Sequence, residues 1–290
     1  MKDSESLISV VIPSLNQGRY IGETIDSILN QIYPNTEIIV MDGQSTDGTL
    51  QILETYGDRI SFHSYPDRGI YEALNNGFMK ARGSIVAWIN SDDVYFERDV
   101  FREVANWFSI HPETDMVYGD VAIISSSSKL LRLRLVPPFS SSRLHRMNTI
   151  PQPGVFFRRG LLEHEKLENY ISLDYEFWLR LDRKGYVLRH MPILLAGDRQ
   201  YPERLSVRKR SQIAEEIASY RRIGLSVWKH RSLRFLDRSL QAYYRLKGAI
   251  QIIRFLFIKN YLEDLAFPVS FDNAGETLYR QIFRSITSVR

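Results

Sequence analysis

Two adjacent carboxylates, Asp92 and Asp93, follow directly on the apolar run Ile85-Val86-Ala87-Trp88-Ile89. Side by side they repel each other unless a cation or hydrogen-bond donors compensate, so the pair suits a hard divalent ion such as Mg²⁺ or Mn²⁺. The same pair could instead sit in a surface turn and cap the next helix. Other polar clusters decide between these readings. Ser14 and Asn16 follow Leu7–Ile12 and Pro13, and Asp42, Ser45 and Asp47 fill the loop Asp42-Gly43-Gln44-Ser45-Thr46-Asp47-Gly48-Thr49. Asp67, Arg68 and Gly69 follow Ile60–Ser64. A later carboxylate, Asp174, opens a segment whose Phe177, Trp178 and Leu181 form an apolar stripe at helical spacing. Asp174 could cap that helix, or take a proton from a reacting hydroxyl. Glu176 is its rival, but two residues along a helix it points well away.

The elements that position these groups alternate strand and helix. Leu7–Ile12, Glu37–Met41, Ile60–Ser64 and Ile85–Ile89 read as strands, and helices are expected over Tyr20–Gln31, Leu50–Tyr56 and from Tyr71 to Gly83. A β-α-β chain of this kind builds parallel strands with right-handed crossovers. Ligands then bind beyond the carboxyl ends of the strands, where all four polar loops converge. Farther on, Asp99–Ser109 reads as a helix. Met116–Ile124 reads as a strand in which Gly119-Asp120 marks a bulge or an edge, and Lys129–Val136 as a half-exposed strand alternating Leu with Arg. Ile150-Pro151-Gln152-Pro153-Gly154-Val155 reads equally as a pocket-lining segment and as a Pro-fixed turn before a core strand.

The order Ile8-Ser9-Val10-Val11-Ile12-Pro13-Ser14-x-Asn16, Asp42-Gly-x-Ser45-x-Asp47-Gly48-Thr49, Asp67-x-Gly69-x-x-x-Ala73-x-Asn75-x-Gly77 and Asn90-Ser91-Asp92-Asp93 resembles glycosyltransferase family 2. The resemblance covers about residues 7–200, and the conjunction of motifs is specific although each alone is not. It implies an inverting, nucleotide-sugar-dependent enzyme of the GT-A fold, an α/β mixed sheet flanked by helices. By resemblance Asp93 ligates the divalent metal (Mn²⁺ or Mg²⁺) that bridges the donor diphosphate, and Asp92 contacts ribose. Pro13, Ser14 and Asn16 with Asp42 and Ser45 hold base and ribose, and Asp67, Arg68, Gly69 and Asn75 complete the donor side. Gln152 lines the sugar and acceptor pocket, and Asp174 is the general base. In many members the loop reads Asp-Asp-Gly-Ser, and the second Asp often contacts the base. Gly43 stands here instead, so the nucleotide stays open.

Composition sets limits. The chain has 290 residues, 44% apolar and 25% charged, which supports a packed core and argues against disorder. No cysteine is present, which excludes disulfides, thiolate zinc sites and a Cys nucleophile. Six scattered histidines lack metal-ligand spacing, and no Gly-x-Gly-x-x-Gly argues for a dinucleotide. No signal peptide or transmembrane run is legible, so a cytoplasmic protein is expected, with room for a peripheral place on the inner face of the plasma membrane. Residues 201–290 carry a balance of +9 and residues 1–200 a balance of −5. A catalytic domain over 1–200 (nucleotide-sugar part about 1–95, acceptor part about 96–200) and a basic helical extension over 201–290 are therefore expected. The extension reads as two helices, Ser206–Lys229 and Ser232–Tyr261. The basic amphipathic stretch 232–262 could lie on an anionic membrane, or pack on the catalytic domain or on another subunit in a homo-oligomer. Nucleic acid is not expected, because no recognition motif accompanies the charge. The partners expected are a nucleotide sugar and a glycan or lipid-linked acceptor. A nucleotidyltransferase and a non-catalytic binding relative remain as alternatives.

Overall fold

A computed structural model of the chain describes residues 6–221, 239–240 and 242–250. Nine strands form one sheet: β1 Ile8–Ser14, β2 Thr36–Asp42, β3 Ser61–Ser64, β4 Ile85–Trp88, β5 Val94–Tyr95, β6 Met116–Ser125, β7 Leu130–Arg134, β8 Val155–Arg158 and β9 Leu188–Gln200. Helices are α1 Ile21–Leu29, α2 Thr49–Glu54, α3 Ile70–Lys80, α4 Val100–Ile110, α5 Ser141–Leu144, α6 Arg159–His164, α7 Leu173–Arg183, α8 Leu205–Arg208 and α9 Arg210–Arg221.

The spatial order is β3-β2-β1-β4-β8-β6-β9-β5, with β7 beside β6. Strands β3, β2, β1 and β4 run parallel, and β8 is antiparallel to both β4 and β6. The chain goes from β1 outward to β2 and β3, then returns to place β4 on the other side of β1. That reversal opens a crevice at the carboxyl ends of β1 and β4. Every residue of β1 and β4 is buried, as their continuous apolar runs require of strands covered on both faces.

One core lies on each face of the sheet. Leu74 and Phe78 of α3 join Trp178 and Leu181 of α7 on one side, and Ile21, Ile25, Phe101 and Val104 of α1 and α4 fill the other. Gly77 is needed for the approach of α3: a Cβ there would stand 2.3 Å from Val11 Cγ1. Trp88 and Trp178 meet with ring centroids 6.2 Å apart, which seats α7 beside the tip of β4.

The expected strands and helices of the first half are found with small boundary shifts. Gly119-Asp120 is a bulge, not an edge, since the register of β6 against β9 jumps there and β6 has partners on both sides. The 13-residue strand β9 is a finding the sequence did not suggest. In place of one helix from Ser206, the chain turns at Lys209 between α8 and α9. Residues 242–250 are helical, and most of the stretch 232–262 lies outside the described residues.

Candidate active site

The loops after β1, β2 and β3 are stitched together by short polar side chains. Asp42, buried at the end of β2, accepts hydrogen bonds from the Ser45 amide (2.9 Å), the Ser45 hydroxyl (2.5 Å) and the Ser64 hydroxyl (2.7 Å). Ser45 Oγ in turn accepts from the Asn16 amide at 2.7 Å, and Asn16 Oδ1 accepts from the Thr46 amide at 2.8 Å. Asn16 has φ 52°, a left-handed conformation that Asn tolerates better than most residues. Ser14 follows Pro13 at the tip of β1, and its buried Oγ has no hydrogen-bond partner among the described residues. An orphaned buried hydroxyl is costly unless a ligand completes it.

Gly43 lies against Asp67. A Cβ on Gly43 would stand 3.0 Å from Asp67 Oδ2, so the Asp67 carboxylate occupies the space that a side chain at 43 would enter. Asp67 Oδ1 accepts from the Gly69 amide at 2.8 Å, and Gly69 turns the chain into α3 with φ 129°, which glycine alone adopts easily. Arg68 folds back on Glu72 at the surface (2.9 Å). Asn75 spends its amide on the backbone of Leu167, donating and accepting at 2.9 Å. These last two stand apart from the polar cluster.

Asp92 and Asp93 do not cap a helix; the next one begins at Val100, beyond Asp99. Asp93 is fully buried. Its Oδ1 accepts from the Arg199 amide at 2.9 Å, and its Oδ2 faces Asn90 Nδ2 at 3.3 Å and Arg204 Nη2 at 3.5 Å. Asp92 Oδ2 accepts from the Tyr201 hydroxyl at 2.8 Å and lies 3.8 Å from Arg204 Nε. The same guanidinium pairs with Asp198 through Nη1. Burial pushes the Asp93 carboxyl well above the usual range against the pull of Arg204, and Asp92 and Asp198 add to the rise. Burial works to lower Arg204, but the three carboxylates raise it further and hold it charged. Gln152 joins the cluster from the turn before β8: its Oε1 accepts from Asn90 at 2.7 Å and its Nε2 donates to the Trp88 carbonyl at 3.0 Å.

Asp174 lies in the first turn of α7, where the helix dipole favours a carboxylate. Its Oδ2 accepts from Asn148 at 3.1 Å. Burial nevertheless raises its pKa, against hydrogen bonds from backbone amides and Asn148. Glu176 is held by Arg180 at 3.0 Å and so is committed to an ion pair. Arg134, on β7 opposite Val121, is lowered in pKa by burial, against the favourable charges of Asp198 and Asp174.

The family described as Glycosyl transferase family 2 matches residues 9–170. A PGL/p-HBAD biosynthesis glycosyltransferase of Mycobacterium tuberculosis is 30% identical over 203 residues, covering 67% of this chain and 77% of its own. The chain belongs to glycosyltransferase family 2. It is a glycosyltransferase, which removes the nucleotidyltransferase and non-catalytic alternatives. Among solved structures, Staphylococcus aureus TarS with UDP-GlcNAc matches with TM-score 0.59 at 18% identity, over 74% of this chain and 66% of that one. The mannosyltransferase PcManGT of Pyrobaculum calidifontis, solved with GDP-Man and Mn²⁺, matches with TM-score 0.58 at 17% identity, over 98% and 86%. Both share the GT-A fold with this glycosyltransferase.

Asp92, Asp93 and Asp198 are hard oxygen donors around one guanidinium, but among the described residues no three carboxylate or histidine side chains are grouped as a ready-made cation site, so an ion held by Asp93 would need its further ligands from a bound diphosphate and water. Sequence reasoning missed Asp198, Arg199, Tyr201 and Arg204. Arg199 is fully buried: it donates to the Asp92 carbonyl at 2.7 Å, pairs with Glu23 at 2.8 Å and lies over the Tyr20 ring. It pins the backbone that carries both carboxylates. Tyr201 and Arg204 lie past the boundary expected at residue 200, and α9 also returns to the catalytic fold. Glu216 of α9 accepts from the amides of Ile171 (3.1 Å) and Ser172 (2.7 Å) and from the Ser172 hydroxyl (2.5 Å), which holds the chain leading into α7 just before Asp174. The run of charges from Asp198 to Arg204, directly after a strand, was the available signal.

Proposed function

We propose that this glycosyltransferase is an inverting enzyme that moves a sugar from a nucleotide-sugar donor to a hydroxyl acceptor, in cell-surface polysaccharide or lipid-linked glycan synthesis. Asp42, Ser45, Ser14 and Asp67 form the base and ribose side, with Asp67 taking the part that Gly43 cannot. Asp93, with Asp92 beside it, holds a divalent metal. That ion supplies charge stabilisation for the departing diphosphate. Asp174 accepts the proton of the attacking hydroxyl, and Asn148 and the start of α7 orient it. The extension's first part, through Tyr201, Arg204 and Glu216, works as a piece of the catalytic unit.

The observation that carries this reading is Asp174 itself. It is a carboxylate at a helix N-terminus, raised in pKa by burial, hydrogen-bonded by Asn148 and outside the ion pair that binds Glu176. Asp174→Asn keeps the shape and leaves the donor side untouched. Transfer should fall about 10²–10⁴-fold, with nucleoside diphosphate affinity unchanged. In the wild type the rate should climb with pH through the raised pKa of Asp174, because only the ionised form accepts a proton. A variant within threefold of wild-type transfer would remove Asp174 from this role.

Peripheral contact with an anionic membrane is supported by the helix at 242–250. Gly248 sits against Leu133 and Tyr244 packs by Val94 and Leu133, while Tyr243, Leu246 and Ile250 stay exposed beside Arg245 and Lys247.

A further inference from the structure

We propose that Arg204 is a built-in counter-ion of the carboxylate cluster that competes with the divalent cation for Asp93, and that on loading it passes to the diphosphate of the bound nucleotide. This rests on the reading of Asp93 as the metal ligand.

The geometry of Asp93 leaves little choice. Oδ1 accepts from the Arg199 amide at 2.9 Å, and Oδ2, with a longer contact from Asn90 Nδ2 at 3.3 Å, is the oxygen more open to a cation. That oxygen faces Arg204 Nη2 at 3.5 Å. A divalent ion coordinates carboxylate oxygen at about 2.0–2.2 Å, which sets it against a guanidinium on the same atom, two like charges within a few ångströms. Arg204 also reaches Asp92 (3.8 Å) and Asp198, so all three carboxylates of the cluster converge on it. Its side chain is 14% exposed. Arginine is suited to both places, since the guanidinium fork matches carboxylate and phosphate alike and stays charged in either.

The segment that carries Arg204 is built to let go. Pro202, Glu203 and residues 205–210 are all exposed, and α8 is a single turn. Among the described residues, 201–210 is tied to the catalytic fold by Tyr201, through Asp92, Gln17 and the Tyr20 ring 5.1 Å away, and by Arg204, through the three carboxylates and the Arg199 carbonyl at 2.7 Å. Withdrawing Arg204 therefore frees a short stretch next to the site without unpacking a core. Asp198, left by Arg204, keeps its hydrogen bond from Gln200 at 3.1 Å.

The test uses the full chain and reads binding rather than turnover. Mn²⁺ affinity is measured by calorimetry without nucleotide, and UDP and GDP affinity at saturating Mn²⁺, in wild type, Arg204→Gln and Asp93→Ala. The proposal expects opposite signs in Arg204→Gln: Mn²⁺ binds about tenfold tighter and the preferred diphosphate about tenfold weaker, each a change of about 1.4 kcal/mol. A residue with only a structural role would weaken both or neither, and either result overturns the proposal. Asp93→Ala separates the levels. If it abolishes Mn²⁺ binding while Arg204→Gln leaves Mn²⁺ affinity unchanged, this inference fails and the metal reading stands. If Asp93→Ala binds Mn²⁺ like wild type, both fail. Hydrogen exchange on the wild type gives a readout that needs no variant: Mn²⁺ alone should raise exchange at amides 203–209 relative to buffer, and adding the nucleotide, which recaptures Arg204, should lower it again. Unchanged exchange there would count against release of the segment.

Discussion

Removing Glu216 should loosen α7 at the end that carries Asp174. The carboxylate takes three donors from Ile171 and Ser172, all before the first turn of α7. Ser172 is the N-cap of α7, and Glu216 accepts from its amide, the contact that a carboxylate at N3 makes in a capping box. Glu216→Ala strands amide donors that had a charged acceptor, about 1.5–3 kcal/mol if fully buried. The side chain is partly exposed, and water recovers part of that. A net loss of about 2 kcal/mol remains, or a fall in Tm of roughly 4–8 °C for a domain of this size. Hydrogen bonds from Ser172 hold the Glu216 carboxyl below its usual value, although burial works to raise it. The contribution is thus complete above the unfolded carboxylate's pKa and disappears as pH falls through the depressed folded one, so the two melting curves should draw together below about pH 4.5. Thermal melts between pH 3 and 8 measure this directly. Transfer should fall more than nucleotide affinity, because the base moves and the donor loops do not. A Tm within 1 °C of wild type at pH 7 would refute the argument.

Gly43→Asp should weaken nucleotide binding at least tenfold, because its Cβ starts 3.0 Å from the Asp67 carboxylate and brings a like charge to it. Adding Asp67→Asn should recover part of the loss, as titration calorimetry would detect; no recovery would mean the two positions act independently. Leu246→Glu, on the exposed face of the helix at 242–250, should release the protein from sedimenting vesicles that contain anionic lipid without lowering its Tm. Wild-type protein that ignores such vesicles would remove the membrane contact.

What could be read beforehand follows from how each element is buried. β1 and β4 are covered on both faces and so appear as plain apolar runs, and the polar residues at their tips stood out against them. The crevice followed from topology alone. β9 escaped because charged and irregular positions break up its buried apolar residues. His190 pairs with Asp120 at 3.1 Å, Arg199 is enclosed by Glu23, Tyr20 and the Asp92 backbone, and Pro192 falls where the register against β6 jumps. The apolar run of β9, Ile193-Leu194-Leu195-Ala196, is short, follows Pro192 and leads straight into Asp198 and Arg199, so it does not stand out as a 13-residue strand. Arg204 was missed for a related reason. The change in charge balance near residue 200 suggested a boundary there, whereas its first cations turn back to the carboxylates of the catalytic fold. Glu216 acts through three contacts more than forty residues away in sequence, which no local pattern announces.

The most direct measurement is a calorimetric titration of UDP, GDP, dTDP and CDP, with and without Mn²⁺, against wild type and Asp93→Ala. The account predicts that one nucleotide binds preferentially, more tightly with Mn²⁺, and that the metal's contribution vanishes in Asp93→Ala. Binding that ignores Mn²⁺ for every nucleotide, or that survives unchanged without the Asp93 carboxylate, would contradict it.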